Sequence, residues 1–305
     1  MKPQILLLDG NSIGYQHNNS TKLSVGGHPT QATFGFLRTL RDLQIQHPKA
    51  MRFVLWDGRA KWRYELYPNY KSNRGKDPKS LAMRAEYKKQ QPDIQRAITA
   101  LGIDQVRSPD CEADDLAAAY SFVFAGKAWK TQLVTGDGDW LQLVNEYVEW
   151  FDPIRDKFVN HQNFTSQTGF RDPQQFLDNK CLMGDTSDTI KGVGGIGETN
   201  AAKLLKAYGR VTSFLSLYKD GKVVEVPKPW MALGENLKGV QDNYWRNRKL
   251  MELKPNAEGI KARQTIKGKF NPDDLKALCQ ELALFSILKN FNSWIQPFST
   301  MKEAA

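Results

Sequence analysis

The sequence predicts an α/β protein with an open, mostly parallel β-sheet, and three observations lead to this fold class. Three apolar runs have strand character, and each ends at acidic residues: 5–10, 53–58 and 132–139. Near-continuous apolar strands are typical of a parallel sheet that is buried on both faces. Between the runs, apolar residues recur at helical spacing over 33–44 and 113–124, and alternating strands and helices favour an open α/β sheet.

The acids at the ends of the predicted strands form the first candidate site. Asp9 closes the first run, Asp57 closes the second, and Asp137 and Asp139 close the third. In an open parallel sheet, ligands bind beyond the carboxyl ends of the strands. We therefore expect these side chains to meet at one edge of the sheet.

The glycines around Asp137 and Asp139 leave two interpretations open. An Asp-Gly pair is typical of a tight hairpin turn between antiparallel strands. The sequence LQLVNEY after Trp140 predicts a helix instead, which speaks against a hairpin.

The segment 59–96 is strongly basic, with eleven Lys and Arg against four Asp and Glu. It is a long insertion after the second strand, and such connections often cover active sites. Aromatic residues interleave with the charges, as stacking surfaces for nucleotides do: Trp62, Tyr64, Tyr67 and Tyr70. The segment therefore predicts a basic arch or lid over the acidic edge, at about 65–100, although a solvated charged surface would have the same composition.

Three more acids lie at the start of the predicted helix 113–124, in the sequence CEADDLAA. Glu112 and Asp115 are three residues apart and share one face of the helix, whereas Asp114 points elsewhere or toward a second ion. Helix N-termini favour acidic residues, so capping is the alternative for any one of them, and first of all for Asp114.

With the pair of acids in MGDTSD, the candidate set has nine carboxylates. Such a cluster is unfavourable unless cations offset the repulsion, and all-oxygen ligand sets select Mg²⁺ or Mn²⁺ rather than Zn²⁺. The four histidines show no paired ligand spacing, which argues against zinc. A pair of Mg²⁺ ions would activate a water and stabilise a leaving oxygen, so the set implies phosphodiester hydrolysis. The predicted ligands are Asp9, Asp57, Glu112, Asp114, Asp115, Asp137, Asp139, Asp185 and Asp188.

After about residue 170 the pattern becomes helical, and we place a domain boundary near 165–180, between domains 1–170 and 171–305. Amphipathic segments near 201–208 and 273–288 predict helices. The sequence KGVGGIGETNAAKLLKAYG predicts a helix, a glycine-rich turn and a second helix. Exposed N–H groups at such a turn bind phosphate without reading bases, whereas the alternative is an ordinary connection with a glycine cap. The candidate residues are Lys191, Gly192, Gly194, Gly195, Gly197, Lys203 and Lys206.

The bulk properties of the chain bound its partners and its compartment. The net charge of +10 favours a polyanionic partner such as nucleic acid, although a generally basic protein would share it. Three scattered cysteines argue against a disulfide framework and for a reducing compartment. The N-terminus lacks the pattern of a signal peptide, and no run has the length of a membrane span. We therefore expect a cytoplasmic protein, in the host cytoplasm if a phage encodes it, without a membrane partner.

Taken in order, six motifs resemble the 5′-nuclease superfamily: LLLDGNS, LWDGR, YPNYKSNR, CEADDLAA, TGDGDW and MGDTSDTIKGVGGIG. This superfamily includes the 5′-exonuclease region of bacterial DNA polymerase I, eukaryotic flap endonucleases and stand-alone bacteriophage enzymes. The resemblance is closest to the bacteriophage members and covers about residues 3–250. It implies a PIN-like α/β domain, a helical arch and a helix–turn–helix region that binds duplex DNA.

The resemblance also implies an activity, cofactors and partners. The activity is 5′→3′ exonuclease and 5′-flap endonuclease cleavage of DNA in replication and repair, by a monomer and without sequence preference. Mg²⁺ is the implied cofactor, with Mn²⁺ as a substitute and a monovalent cation such as K⁺ at the glycine-rich turn. RNA–DNA hybrids are a further implied substrate, because some members remove RNA primers.

By their places in the motifs, the nine acids look like the metal site of the family. Lys71 and Arg74 look like the cationic pair that stabilises the phosphate being cut, with Asp9 and Asp57 as catalytic acids. Tyr70 looks like a stacking residue beside that phosphate. The further DNA contacts implied in the arch are Lys76, Arg84 and Lys88.

Other functions remain as alternatives. A catalytically silent DNA-binding protein on the same fold would have lost some of the acids, and all nine are present. A small PIN ribonuclease would lack the arch and the glycine-rich turn. A phosphatase with an aspartyl nucleophile would want an acid two residues after Asp9, where this sequence has Asn11. Residues 220–270 are basic and contain Trp230, and they either contact the duplex or pack.

Overall fold

The computed structural model describes residues 3–223, 225–255 and 261–299. Contacts within the chain define two compact units, each assembled from separate stretches of sequence. The first unit contains Met1–Arg59, Pro78–Asn160 and Lys254–Ala305. The second unit contains Ala60–Asp77 and His161–Leu253. The sequence predicts two domains that are each continuous, with a boundary near 165–180. That division stays a prediction, because the two units described above are defined differently.

The first unit is built around a seven-stranded sheet with the order β11-β5-β4-β1-β6-β7-β8. The five central strands are parallel, and antiparallel strands complete the two edges. The strands of this sheet are β1 (Ile5–Asp9), β4 (Met51–Trp56), β5 (Asp104–Arg107), β6 (Thr131–Val134), β7 (Val148–Asp152), β8 (Lys157–Val159) and β11 (Gln264–Ile266). A small hairpin is formed by β2 (Ser24–Val25) and β3 (His28–Pro29). The predicted α/β fold with a mostly parallel sheet is confirmed.

The apolar runs occupy the centre of the sheet because helices cover both of its faces. All five residues of β1 are buried, and Asp9 pairs in register with Leu55 of β4. A core of aliphatic and aromatic side chains joins the sheet to these helices and to the last helices of the chain. The helices of the first unit are α1 (Gly10–Asn18), α2 (Gln31–Gln46), α4 (Pro78–Ala100), α5 (Ala113–Ala125), α12 (Pro272–Glu281), α13 (Phe285–Leu288) and α14 (Phe291–Ser299), with a 3₁₀ helix at Gly138–Leu143.

The second unit is helical and has its own apolar core, in which Phe214 and Tyr244 are fully buried. Its helices are α3 (Lys61–Leu66), α6 (Phe164–Thr168), α7 (Pro173–Met183), α8 (Glu198–Tyr208), α9 (Val211–Lys219), α10 (Lys228–Gly234) and α11 (Val240–Met251), with a 3₁₀ turn at Leu237–Gly239. Its only described strands, β9 (Gly184–Asp185) and β10 (Ile190–Lys191), form a short antiparallel hairpin.

A buried ionic network fixes α11 in the second unit. Asp178 is fully buried and accepts hydrogen bonds from Arg210 Nε at 2.9 Å, Arg248 Nη1 at 2.6 Å and the Tyr244 hydroxyl at 2.8 Å. Buried carboxylates need partners of this kind, because desolvation penalises an ion that is left alone. Of the two roles left open for residues 220–270, packing is the one that α11 performs in the structure.

Three helix predictions differ from the structure. The sequence after Trp140 is not a full helix, because it ends in the 3₁₀ turn and leads directly into β7. The helix predicted directly before the glycine-rich turn ends earlier, at Gly184, whose φ of 75° belongs to the left-handed region. The helix predicted over 273–288 is interrupted between α12 and α13 at Ala283, whose φ is 51°.

The thiols of Cys111, Cys181 and Cys279 are buried. Across the described residues, no helix combines the length and hydrophobicity that a membrane span requires.

Candidate active site

Asp9 lies where β1 ends and α1 begins, and its carboxylate caps that helix. It accepts hydrogen bonds from the Ser12 backbone N–H at 2.9 Å and from the Thr135 hydroxyl at 3.0 Å. Burial, followed by the negative charges of Asp57 and Asp137, raises the pKa of Asp9 from 3.8 to about 7 despite these bonds. Strand ends that are far apart in sequence therefore bring carboxylates within electrostatic range of one another, as predicted.

Asp57 follows β4 and reaches the beginning of α5, where its Oδ1 accepts from the Ala113 backbone N–H at 2.9 Å. Glu112 and Asp115 form a reciprocal capping box at the same helix start. In that box the Glu112 backbone N–H donates to Asp115 Oδ2 at 3.0 Å. These acids share the favourable N-terminal end of the helix dipole, which offsets part of their mutual repulsion.

The alternative in which Asp114 caps α5 is wrong, because Glu112 is the capping residue and Asp114 is the second residue of the helix. Asp114 accepts a hydrogen bond from Trp140 Nε1 at 2.7 Å. Burial and then the charges of Asp137, Glu112, Asp57 and Asp9 raise its pKa well above the ordinary value. Asp114 thus belongs to the acidic edge and does not point elsewhere.

Asp137 and Asp139 follow β6, and the hairpin alternative for them is wrong because β6 and β7 are parallel. Asp137 caps the 3₁₀ helix and accepts from the Asp139 backbone N–H at 2.8 Å. The turn requires glycine at position 136, because a Cβ there would lie 1.7 Å from Gln16 Nε2. Asp137 acts electrostatically on both Asp9 and Asp114, which places it within the cluster.

The chemistry of this edge fits a hard divalent cation. The facing donors are carboxylate oxygens, and their repulsion is what a cation would offset. Within the described residues, however, no group of three or more Asp, Glu, His or Cys side chains is close enough to hold an ion. Several carboxylates accept hydrogen bonds from a neighbouring N–H or O–H group instead.

Asp185 and Asp188 lie in the second unit, where Asp185 ends β9 and Asp188 lies in the turn that leads to β10. Burial alone would raise the pKa of Asp185, but hydrogen bonds from Ser187 and Lys180 lower it below the ordinary value. Asp188 pairs with Arg74 at 2.7 Å and with the Lys71 ammonium at 3.8 Å. Both acids therefore stand beside basic groups of their own unit.

Lys71 and Arg74 thus lie on one turn and share Asp188 as an ionic partner. Tyr70, which precedes them, is 3 % exposed and packs in the core of the second unit. Its ring stands edge-on to Tyr64, with ring centres 5.3 Å apart, and the Lys71 ammonium lies 4.7 Å from the Tyr70 ring centre. This burial favours a core role for Tyr70 over stacking on a nucleotide.

The glycine-rich turn separates β10 from α8. Val193 and Ile196 are buried and anchor it, whereas a Cβ added at Gly194 or Gly197 would meet open space. Gly197 caps α8, so the backbone N–H groups of the first turn of this helix are available to an anion. The basic residues around the turn are all exposed: Lys191, Lys203 and Lys206.

The remaining arch residues lie outside the cores. Lys76 is exposed in the turn before α4, and Arg84 and Lys88 are exposed on α4. The opposite face of α4 is buried, and its Tyr87 hydroxyl donates to the Gly10 carbonyl at 3.1 Å. Burial, with the charges of Asp9 and Asp57, raises the pKa of Tyr87.

Three residues that contact the acidic edge were not predicted: Thr135, Trp140 and Tyr87. Thr135 and Trp140 flank the acids of TGDGDW, so their positions in that motif were an available signal. Tyr87 is distant in sequence from every acid of the set, and only the packing of α4 brings it to this edge.

Family models match two adjoining parts of the chain. The N-terminal resolvase-like domain of 5′-3′ exonucleases matches residues 4–169, and the C-terminal SAM fold of the same enzymes matches residues 171–272.

The fold is also similar to solved structures. The zinc-bound T5 5′-exonuclease has a TM-score of 0.68 at 23% identity, covering 91% of this chain and 97% of the T5 chain. The T5 D15 flap endonuclease with DNA and metal ions has a TM-score of 0.66 at 22% identity, covering 96% and 99%.

Curated relatives are more similar in sequence. The 5′-3′ exonuclease of Aquifex aeolicus is 34% identical over 214 residues, which is 69% of this chain and 72% of the relative. DNA polymerase I of Mycobacterium tuberculosis strain H37Rv is 33% identical over 269 residues, covering 83% of this chain. The chain spans only about a quarter of that polymerase, 27% of its length. The family models and the Aquifex relative together show that this chain belongs to the 5′-3′ exonuclease family.

Proposed function

We propose that the chain is a Mg²⁺-dependent, structure-specific 5′-nuclease that hydrolyses DNA phosphodiesters as a 5′→3′ exonuclease and a 5′-flap endonuclease. The observation that carries this proposal is the acidic edge of the sheet, where burial and the charges of neighbouring acids raise the pKa of Asp9 and of Asp114. Similarity to T5 proteins crystallised with metal ions and with DNA supports both the cofactor and the substrate class.

The residues that would hold the ions are Asp9, Asp57, Glu112, Asp114, Asp115, Asp137 and Asp139, with Asp185 and Asp188 assigned on the motif resemblance alone. When bound, a pair of such ions supplies Lewis acidity for both the attacking water and the leaving oxygen. Oxygen donors favour Mg²⁺ or Mn²⁺ over softer metals.

The protein itself pre-orients these acids. The Thr135 hydroxyl and the Ser12 N–H hold the two oxygens of Asp9, and Trp140 holds one oxygen of Asp114. Each bond limits the rotation of a carboxylate, so the acids keep a narrow range of orientations before substrate arrives. Tyr87 covers the beginning of α1, where its hydroxyl donates to the Gly10 carbonyl.

Lys71 and Arg74 are assigned to the phosphate that is cut. Two cations on one turn would neutralise charge that develops on the phosphoryl oxygens. In the structure they pair with Asp188, so a phosphate would have to replace that carboxylate as their partner.

The glycine-rich turn is assigned to the DNA backbone. Its open glycines admit a phosphate, and its exposed lysines add positive charge without reading sequence. DNA affinity should therefore fall steeply with salt and vary little with base sequence. The DNA contacts assigned to Lys76, Arg84 and Lys88 belong to the same proposal, as do K⁺ at the turn, RNA–DNA hybrids as substrates and a monomeric state.

The first test is cleavage of a 5′-labelled flap substrate, compared with a blunt duplex and a single strand, in Mg²⁺ and in EDTA. We expect cutting near the flap junction in Mg²⁺ and none in EDTA. Binding of the flap without cutting in either Mg²⁺ or Mn²⁺ would support a silent DNA-binding protein instead.

A further inference from the structure

Two turns of the second unit interlock through the segments 69–74 and 185–189. The Lys71 backbone N–H donates to the Asp188 carbonyl at 2.8 Å, and Arg74 Nη2 donates to Asp188 Oδ1 at 2.7 Å. Asn73 supplies two further bonds, from its backbone N–H to Thr189 Oγ1 at 3.2 Å and from Nδ2 to the Thr186 carbonyl at 2.8 Å. These contacts join residues that are more than a hundred positions apart in sequence.

Both turns contain a strained residue at the contact. Lys71 has a φ of 55° and Thr189 a φ of 59°, which is the left-handed region that favours glycine. For a β-branched residue such as threonine this conformation is unusual. Strained residues persist only where the surrounding structure fixes them, and each turn supplies bonds that fix the other.

Asn73 is the residue that holds this contact from both its backbone and its side chain. It is exposed, so its bonds do not arise from the need to satisfy a buried amide. A turn asparagine usually bonds to its own local backbone, whereas this amide reaches the other turn. Lys71 and Arg74 stand on either side of it, two positions before and one position after.

We propose that Asn73 is a positioning residue that sets where Lys71 and Arg74 stand relative to the turn that carries Asp185 and Asp188. Asn73 acts through these neighbours and does not itself touch the phosphate. The proposal rests on the proposed function, because it assigns Asn73 to the same nuclease reaction.

The test compares Asn73→Ala with Ser72→Ala, a neighbouring exposed residue whose hydroxyl takes no part in the bonds between the two turns. Single-turnover cleavage of a 5′-flap in Mg²⁺ is measured beside the Kd for the same DNA in EDTA and the Tm. We expect Asn73→Ala to slow cleavage by about tenfold or more, because small misplacements of catalytic groups are costly. We expect Kd to change less than about threefold and Ser72→Ala to match the wild type in all three measurements.

A double-mutant cycle separates positioning from general weakening of the fold. If Asn73 acts through Lys71 and Arg74, Asn73→Ala will cause a smaller loss of rate in the Lys71→Ala variant than in the wild type. A second pair tests the partner hydroxyl: Thr189→Val should behave like Asn73→Ala, whereas Thr189→Ser should retain wild-type cleavage.

Rate losses that multiply fully in the double variant would overturn the inference, and so would wild-type cleavage by Asn73→Ala. A loss of Tm that accounts for the whole loss of rate would do the same. Failure of the proposed function gives a different result, because the wild-type chain itself would then not cut the flap in Mg²⁺.

Discussion

Asp9 and Asp178 are both buried carboxylates, yet their surroundings are of opposite kinds. Around Asp178, two arginines and a tyrosine hydroxyl donate directly to the carboxylate oxygens. Around Asp9, the neighbouring charges are those of other acids, and burial together with these charges raises its pKa to about 7. The carboxylate of Asp178 is neutralised by groups of its own chain and holds helices together. The charged form of Asp9, in contrast, would be stabilised by a bound cation.

Asp185 and Asp188 stand between these two extremes. They are predicted metal ligands, but Lys180, Lys71 and Arg74 already pair with them. What distinguishes these acids is therefore whether their neighbours are acidic or basic. Substitutions of the two kinds of acid should impair different properties of the protein, and four predictions test this.

The largest effect is expected for Asp137→Ala at the acidic edge. Removing one acid of the cluster should lower the single-turnover rate by at least about 10³-fold while the Kd for DNA in EDTA stays within about threefold. The measurement is flap cleavage in Mg²⁺ with a parallel binding titration. Asp42→Asn, an exposed acid on α2, is the control and should cleave normally. Near-normal turnover by Asp137→Ala would remove the acidic edge from the mechanism.

Lys71→Ala in the second unit should have the next largest effect. Loss of a cation that stabilises developing charge typically lowers a rate by about 10²–10³-fold. Rapid-quench cleavage at saturating Mg²⁺ measures it, with the exposed Lys61→Ala as the matched control. A change confined to KM would show that Lys71 only binds DNA.

Asp178→Asn removes the buried charge that pairs with two arginines. We expect this change to lower the stability of the fold and to leave the rate of cleavage unchanged. Two half-buried arginines would lose the buried carboxylate that they pair with, which destabilises a fold by about 3 kcal/mol. Urea unfolding measures this loss, and cleavage per folded molecule should remain close to the wild-type value. The exposed Asp220→Asn, which removes only a surface pair with Lys222, should change stability by less than about 1 kcal/mol.

The smallest effect is a pH dependence of stability that comes from Asp9. Folding raises the pKa of Asp9 from 3.8 to about 7. Its contribution to the free energy of unfolding is therefore full below pH 3.8 and disappears as the pH rises to about 7. In EDTA, the Tm of the wild type should therefore fall more between pH 5 and pH 7.5 than that of Asp9→Asn, by about 2–4 °C. Saturating Mg²⁺ should abolish the difference. Equal pH profiles in EDTA would contradict the raised pKa.

The sequence alone predicts the parts of the structure that depend on the local pattern of apolar residues. The runs that end at Asp9, Asp57 and Asp137 are buried parallel strands because continuous apolar segments must be covered on both faces. Once those strands are parallel, their carboxyl ends share an edge, and the convergence of the acids follows from topology.

Features that depend on tertiary contacts could not be predicted. The direction of Asp114 depends on Trp140, and the burial of Tyr70 depends on the core of the second unit. The network around Asp178 joins three helices whose acids and bases look like ordinary surface charge in the sequence. Likewise, no local signal marks Thr189 as left-handed, because only the facing turn holds it there.

The antiparallel strand β11 has a consequence for how the chain is made. It completes the sheet beside β5, although about 160 positions separate Gln264 from its partner Arg107. A ribosome that has synthesised every acid of the predicted set has not yet produced this strand or helices α12 to α14. Since such distant pairings close slowly, the nascent chain should acquire a protected sheet edge only late in translation. Protease resistance of ribosome-bound intermediates should then rise sharply after the last helices emerge.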